Sequence, residues 1–482
     1  MTWSISGTTF RDRYGRHAFL HGINFVDKNP ENRPEGVQPW ADDDLAQAAN
    51  WGLNAVRLGV MWAHAMPEPG QPNTAYLDWL ADQVEACHRH GLHVVLDAHQ
   101  DLYAQAHSDG APAWATLTEH KFDPTGLWSD AYLESPAVHE ALDAFWANAE
   151  VDGRGLQDHF SEFWLAVLER VGSHPAVVAL DLFNEPVPGS PLPGYFELLI
   201  GAFAHLTGQD PMQVAADWED PEKKFAQLQR LDDADLHRAL GDAVAPALAE
   251  FDTGPVADFY ERVGGAIRAA GHQHIILREN TYLSNMGVPC LAPLPEGIGP
   301  VAFSPHAYDL VVDTPAVVMA SDRRVRTILQ RHAELQQRWN RPALLGEWGA
   351  LSTYDGVASH SQAIQDFVDE HLWSQTYWCW EPAFAGTEAQ RSLVRPRIRA
   401  VVGTVDTLTL PRPMWVVSWH TTEQDLDAAG DHPWHEFWVP ADAAVEYRID
   451  DETQPMPEPD AQLGRVLRLP AAVGRGRVVV RR

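Results

Sequence analysis

Cysteine is scarce in this chain: three in 482 residues, Cys87, Cys290 and Cys379, with no CxxC pair among them. So small and scattered a set offers neither a disulfide framework nor a zinc knuckle, and nothing demands an oxidising compartment. Basic residues are also few. Lys and Arg number 35 against 67 Asp and Glu, a formal net charge of −32. Nucleic-acid affinity comes from neutralising phosphates with Lys and Arg, so no nucleic-acid partner is expected, and an anionic membrane surface is disfavoured for the same reason. No run of about 18 apolar residues is available to span a bilayer. The opening stretch MTWSISGTTFRDRYGRHAFL lacks a basic segment followed by an apolar one, so no signal peptide is visible. The expected location is cytoplasmic, or secreted if a leader has been removed. No GxGxxG or GxxxxGK[ST] follows an apolar run, which weighs against nucleotide binding.

What is present is material for a large core. Hydrophobic residues make up 45% of the chain and aromatics 10%, which excludes a disordered protein. Eight short apolar runs alternate with helical stretches: 19–25, 54–59, 93–98, 177–183, 274–278, 301–305, 343–346 and 376–380. Strands alternating with helices over about 390 residues predict an α/β fold, a (β/α)8 TIM barrel with insertions. Beyond about residue 410 the runs become short, alternating and separated by Pro, Gly and Asp, which predicts a C-terminal antiparallel β-sandwich. The expected domains are a catalytic barrel over 1–405 and a sandwich over 406–482. Between the fourth and fifth strands lies an insertion, 186–258, too long for a simple connection and expected to be a lid or subdomain.

A barrel of this kind builds its site from side chains at the C-terminal ends of its strands. Strand two supplies Arg57. Strand three ends in Asp97-Ala98-His99-Gln100-Asp101 and strand four in Asn184-Glu185-Pro186. Glu279 closes strand five, His306-Ala307-Tyr308 follow strand six, Glu347-Trp348-Gly349 follow strand seven, and Trp378-Cys379-Trp380 end strand eight. Two glutamates at the ends of strands four and seven are what retaining glycoside hydrolysis requires, one attacking the anomeric carbon while the other protonates the leaving oxygen. Arg57 is a candidate to keep the nucleophile ionised, or else an ion-pair residue of the structure. Glu279 either binds sugar or pairs with an arginine, and Asp97 and Asp181 are expected to be buried and structural.

These residues resemble a known family. DLFNEP at 181–186, LGEWG at 345–349, VRLG at 56–59 and HAY at 306–308 are similar to glycoside hydrolase family 5. LDAHQD (96–101), GAPAWA (110–115) and RPRIRAVVG (395–403) are most similar to its endoglycoceramidase and glucosylceramidase-like subgroup. The resemblance implies Glu185 as acid/base and Glu347 as nucleophile. It implies Asn184 on the sugar 2-hydroxyl, Tyr308 on the Glu347 carboxylate, and His99, Asp101 and Lys28 on outer hydroxyls of the sugar. Lys28 departs in context, since Phe25-Val26-Asp27 precede it where relatives often carry Tyr before the Lys. Trp378 or Trp380 would form the floor. Two apart on a strand, they would face the same way, so the sequence does not choose between them.

The function expected is hydrolysis of the β-glucosidic bond between a sugar head group and a hydrophobic aglycone, a glycosphingolipid above all, without metal or organic cofactor. Three alternatives remain: an exo-acting glucosylceramidase or steryl glucosidase, a soluble diglycosidase or endoglucanase, and a non-catalytic carbohydrate- or lipid-binding protein. The stretch 195–203 in the insertion has apolar residues four apart. It is expected either to pack on the barrel rim or to form a lipid-facing lid, with transient contact to a lipid surface.

Overall fold

The computed structural model describes residues 3–28, 38–295, 297–351, 354–410, 413–456 and 466–481. Eight parallel strands form the central barrel: His21–Phe25, Ala55–Val60, His93–Ala98, Val177–Asp181, Ile275–Arg278, Val301–Phe303, Leu344–Leu345 and Ser374–Tyr377. Consecutive strands pair side by side, and Phe303 bridging Ala343 joins the sixth strand to the seventh. Such strands are covered on both faces, so they read as continuous apolar runs, and all six residues of Ala55–Val60 are buried. An arginine in the middle of that run must find buried partners or destabilise the strand. Arg57 finds them above the barrel core, as described below.

The insertion folds into helices Leu192–Thr207, Pro211–Trp218, Pro221–Gln229 and Ala234–Thr253. Their starts are written in the sequence. Asp210 and Asp220 cap the amides of the first turns, and each is followed by a proline at the first helical position, where no amide hydrogen is needed. Asp233 caps the last of the four in the same manner. Their inward faces bury a core of their own, Phe203, Val214, Leu228, Leu231 and Leu240, joined by Val311 from the loop after strand six.

Two antiparallel sheets make the sandwich. One runs Ser4–Ser6, Thr9–Arg11, His17–Ala18, Arg397–Val401, Trp434–Trp438 and Val466–Pro470. The other runs Thr404–Thr409, Met414–Thr421, Gly474–Arg481, Ala444–Ile449 and Glu452–Thr453. Phe19, Ile398, Trp419, Phe437, Leu469 and Val478 pack between them. The division expected at residue 405 differs from this pairing at both ends. Three strands before residue 19 and the strand Arg397–Val401 belong to the sandwich, because Ala400 and Val401 pair with Ala18 and His17. Of the short runs expected beyond residue 410, Gly464, Arg465 and Arg482 lie outside the described residues. The eighth barrel strand ends at Tyr377, so Trp378 and Trp380 lie past it.

Candidate active site

Arg57 is the hub of the site. Its guanidinium is fully buried and donates to Asp181 (3.1 Å), Asn24 (3.1 Å), Glu347 (2.7 Å), Asp97 (2.9 Å), Asn184 (2.9 Å) and Glu279 (3.1 Å). Burial by itself would lower its pKa, but Asp97, Asp181, Glu347 and Glu279 outweigh that and hold it well above the ordinary value. The guanidinium therefore ties the ends of strands two, three, four, five and seven into one charged layer. Both readings of Arg57 hold together: it carries structural ion pairs, and it places a permanent positive charge on the Glu347 carboxylate.

Glu347 receives a second hydrogen bond, 2.8 Å, from the Tyr308 hydroxyl. Gly346 before it makes room for the neighbouring strand. A Cβ there would come within 2.9 Å of both His306 Nε2 and Ser304 Oγ. Facing Glu347 is Glu185, whose backbone is strained at a φ of 45°. That backbone is pinned on both sides: its amide donates to Glu279 (2.8 Å), and Gln100 donates to the Asn184 carbonyl (2.7 Å). Oxygens of Glu185 and Glu347 and a ring nitrogen of His306 lie within 4.8 Å of one another. This is nearer the separation of about 5–5.5 Å found in retaining pairs than the about 6.5–9.5 Å that admits a water.

The two glutamates have different surroundings. Burial raises the Glu185 carboxyl; hydrogen bonding and charge from His306 lower it, Glu347 and Glu279 raise it, and the balance lies at about 7. His306 is buried, which disfavours its charged form, yet Glu279, Glu347 and Glu185 raise its pKa well above the usual histidine value. The ring faces three carboxylates, Nδ1 at 2.9 Å from Glu185 and 3.6 Å from Glu347 and Nε2 at 3.3 Å from Glu279, a setting that favours its charged, donating form. Glu279 is held below the usual carboxylate range: burial would raise it, but His306 and Arg57 prevail.

On one side of this pair lies a second charged group. Lys28 pairs with Asp101, lies 3.8 Å from Asp109, and sits 5.0 Å over the Trp378 ring. His99 stacks on the same ring at 5.0 Å and shares a proton with Asp97 at 2.9 Å. Burial disfavours its cation, but Asp97 and Asp101 raise it to about 10. Trp378 thus lies on the floor beside Lys28, His99 and Asp101. Trp380 turns away and stacks on Phe25 at 5.2 Å, against Trp40. The shared orientation expected of the two tryptophans is not found: Trp378 still bridges Gly349 and faces His99, whereas Trp380 lies past the pairing and faces Phe25.

The remaining residues of the sequence-derived set come together on one floor. Asn285 was not among them. It projects from the short 3-10 turn Tyr282–Met286 and donates to Glu185 Oε1 at 2.7 Å. Asn24, holding Arg57, and Asp109, beside Lys28, were also missed. Above the floor opens a cavity of about 980 Å³. Glu185, Glu347, Lys28 and Trp378 line its base; Phe196, Leu199, Ile200, Phe203, Trp218 and Phe225 of the insertion line its upper wall. Among the described residues three acidic and histidine clusters have metal-like spacing. Each already holds a cation: Lys28 in the group of His99, Asp101 and Asp109, Arg57 beside Asp181 and Glu279, and His306 between Glu185 and Glu347. A divalent ion there would meet that charge at close range.

A closed barrel with carboxylates facing each other from strands four and seven defines the site type of a glycoside hydrolase. Residues 34–384 match the model of the Cellulase family, glycosyl hydrolase family 5, and the chain belongs to that family. Among curated relatives it is 37% identical over 191 residues to endoglycoceramidase I of Rhodococcus hoagii, covering 39% of this chain and 38% of the relative. It is 26% identical over 242 residues to a glucosylceramidase of Rhizopus delemar, covering 38% and 35%. The matched segments therefore span under two fifths of these relatives' length. In fold, the chain is similar to endo-glycoceramidase II from Rhodococcus sp., with a TM-score of 0.74 at 24% identity over 98% of each chain.

Proposed function

We propose that this protein is a retaining β-glycosidase that cuts the bond between a sugar head group and ceramide or a similar lipid, acting in the endo mode. One observation carries this reading: the facing pair of glutamates lies at the base of a cavity whose upper wall is built from apolar residues of the insertion. A wall of this breadth, with Leu199 and Ile200 among its aromatics, matches an acyl or sphingoid chain. The likeness to endoglycoceramidase I in the best-matched segment supports the same substrate class.

In the first step Glu347, paired with Arg57 and oriented by Tyr308, attacks C1 while Glu185 protonates the departing oxygen. In the second, Glu185 takes a proton from water, which releases the sugar from Glu347. Asn184 contacts the 2-hydroxyl. Lys28, His99 and Asp101 take the outer hydroxyls, and Trp378 offers its ring to the apolar face of the sugar. The barrel is the catalytic unit and the insertion roofs the lipid. Among the described residues no helix is long and apolar enough to cross a membrane. Contact with a lipid surface falls instead to exposed apolar side chains of the insertion, Leu198 and Met212, which are 49% and 80% exposed.

The test is trapping with 2-deoxy-2-fluoro-β-lactosyl fluoride followed by peptide mass mapping. The expected adduct is on Glu347, absent in Glu347→Gln. An adduct on another residue, or full lactosylceramide turnover by Glu347→Gln or Glu185→Gln, would overturn the assignment.

A further inference from the structure

The reading of Glu185 as the acid leaves open which of its two oxygens carries the proton. A carboxyl oxygen has two acceptor positions in its plane. On Oε1 both are taken: Asn285 Nδ2 donates at 2.7 Å and the cationic His306 Nδ1 at 2.9 Å. Among the described residues Oε2 accepts no hydrogen bond in the protein. We propose that Asn285 is a positioning residue for the acid, filling Oε1 together with His306 and so confining the transferable proton to Oε2. The inference rests on the assignment of Glu185 above.

Asn285 is well placed to do this because its turn is braced from both sides. The amide of Tyr282 donates to the Pro186 carbonyl, one residue after Glu185, at 2.9 Å. On the other side His237, on the insertion helix Ala234–Thr253, bonds the Met286 carbonyl at 2.8 Å. Gly241 on that helix lies so close that a Cβ there would stand 2.5 Å from the Gly287 carbonyl oxygen. Leu283, Met286, His237 and Gly241 also line the cavity. The wall that would hold the lipid is therefore the same wall that fixes the amide on the acid.

The experiment compares phenyl β-lactoside, whose leaving group needs a proton, with 2,4-dinitrophenyl β-lactoside, which leaves without one. The two aglycones are similar in shape, so changes in pocket fit act on both. For Asn285→Ala, kcat/KM on the phenyl glycoside should fall about 10- to 100-fold. The dinitrophenyl glycoside should stay within about two-fold. The basic limb of the phenyl profile should move to higher pH, because a donor that favours ionised Glu185 is gone. Asn285→Ser, which keeps a shorter donor, should fall between Asn285→Ala and wild type. Equal losses on both substrates with an unmoved limb, or no loss on either, would overturn the proposal. Glu185→Ala is measured alongside. If it too fails to separate the two substrates, the acid assignment itself is wrong and the role of Asn285 falls with it.

Discussion

Replacing Arg57 by Met keeps the length of the side chain and removes the charge around which the site is built. Four carboxylates, Asp97, Asp181, Glu279 and Glu347, lie 2.7–3.1 Å from the guanidinium, and their side chains are 0–6% exposed. Breaking one buried ion pair by removing a partner costs about 3–5 kcal/mol. Here one deletion exposes several carboxylates to each other, so a loss at the upper end of that range is expected at pH 7. The pH dependence gives a second signature. Glu279 is depressed in the folded protein, so its contribution is present above its unfolded pKa and is lost as pH falls through the folded value. In Arg57→Met the same group keeps His306 but loses the guanidinium, so its folded pKa rises and acid relieves the repulsion among the four carboxylates. The stability gap between wild type and variant should therefore narrow from pH 7 to pH 5. Arg57→Lys should lie between them, because one ammonium cannot reach six acceptors. Urea unfolding of the three proteins at both pH values measures this. A gap under about 1 kcal/mol at pH 7, or a gap that widens in acid, would refute the reasoning.

Glu185 is raised to about 7 in the fold, so it costs stability as pH rises past its unfolded value. Glu185→Gln should lose activity yet be more stable than wild type at pH 8, by at most about 3 kcal/mol, with the advantage gone at pH 4 in the same unfolding assay. Trp378→Ala should lower kcat/KM on aryl lactosides by about 100-fold, the loss expected on removing a stacking platform. Trp380→Ala should mainly cost stability, about 2 kcal/mol, through its packing on Phe25 and Trp40. Phe196→Asp in the upper cavity wall should raise KM for lactosylceramide at least about 10-fold while leaving 2,4-dinitrophenyl β-lactoside within about two-fold.

The barrel is legible in the sequence because strands buried on both faces must be short apolar runs, and the polar residue that ends each run stands at the mouth. Glu185, Glu347 and Tyr308 follow from that rule, while Arg57 is marked as the one charged residue inside the run Ala55–Val60; it bonds Glu347 at 2.7 Å, and oxygens of Glu347 and Glu185 lie within 4.8 Å. What is not legible has physical reasons. The N-terminal strands Ser4–Ser6 and Thr9–Arg11 are three residues each, too short to carry a period, and they join the sandwich through His17–Ala18, which pairs with Ala400 and Val401 far along the chain. Trp378 and Trp380 straddle the end of the sheet pairing, Trp378 bridging Gly349 and Trp380 outside any strand, so a strand's period of two does not carry from one to the other. Asn285 sits on a turn rather than at a strand end, and its amide reaches Glu185 through tertiary contacts of that turn, with Pro186 on one side and His237 on the other, that no local pattern announces.

Cleavage of a sugar from a lipid with retention can be watched by proton NMR of lactosylceramide hydrolysis before mutarotation sets in. Intact β-lactose should appear first, with ceramide as the other product. α-Lactose appearing first would contradict the double displacement, and free galactose ahead of lactose would contradict cleavage at the sugar–lipid bond.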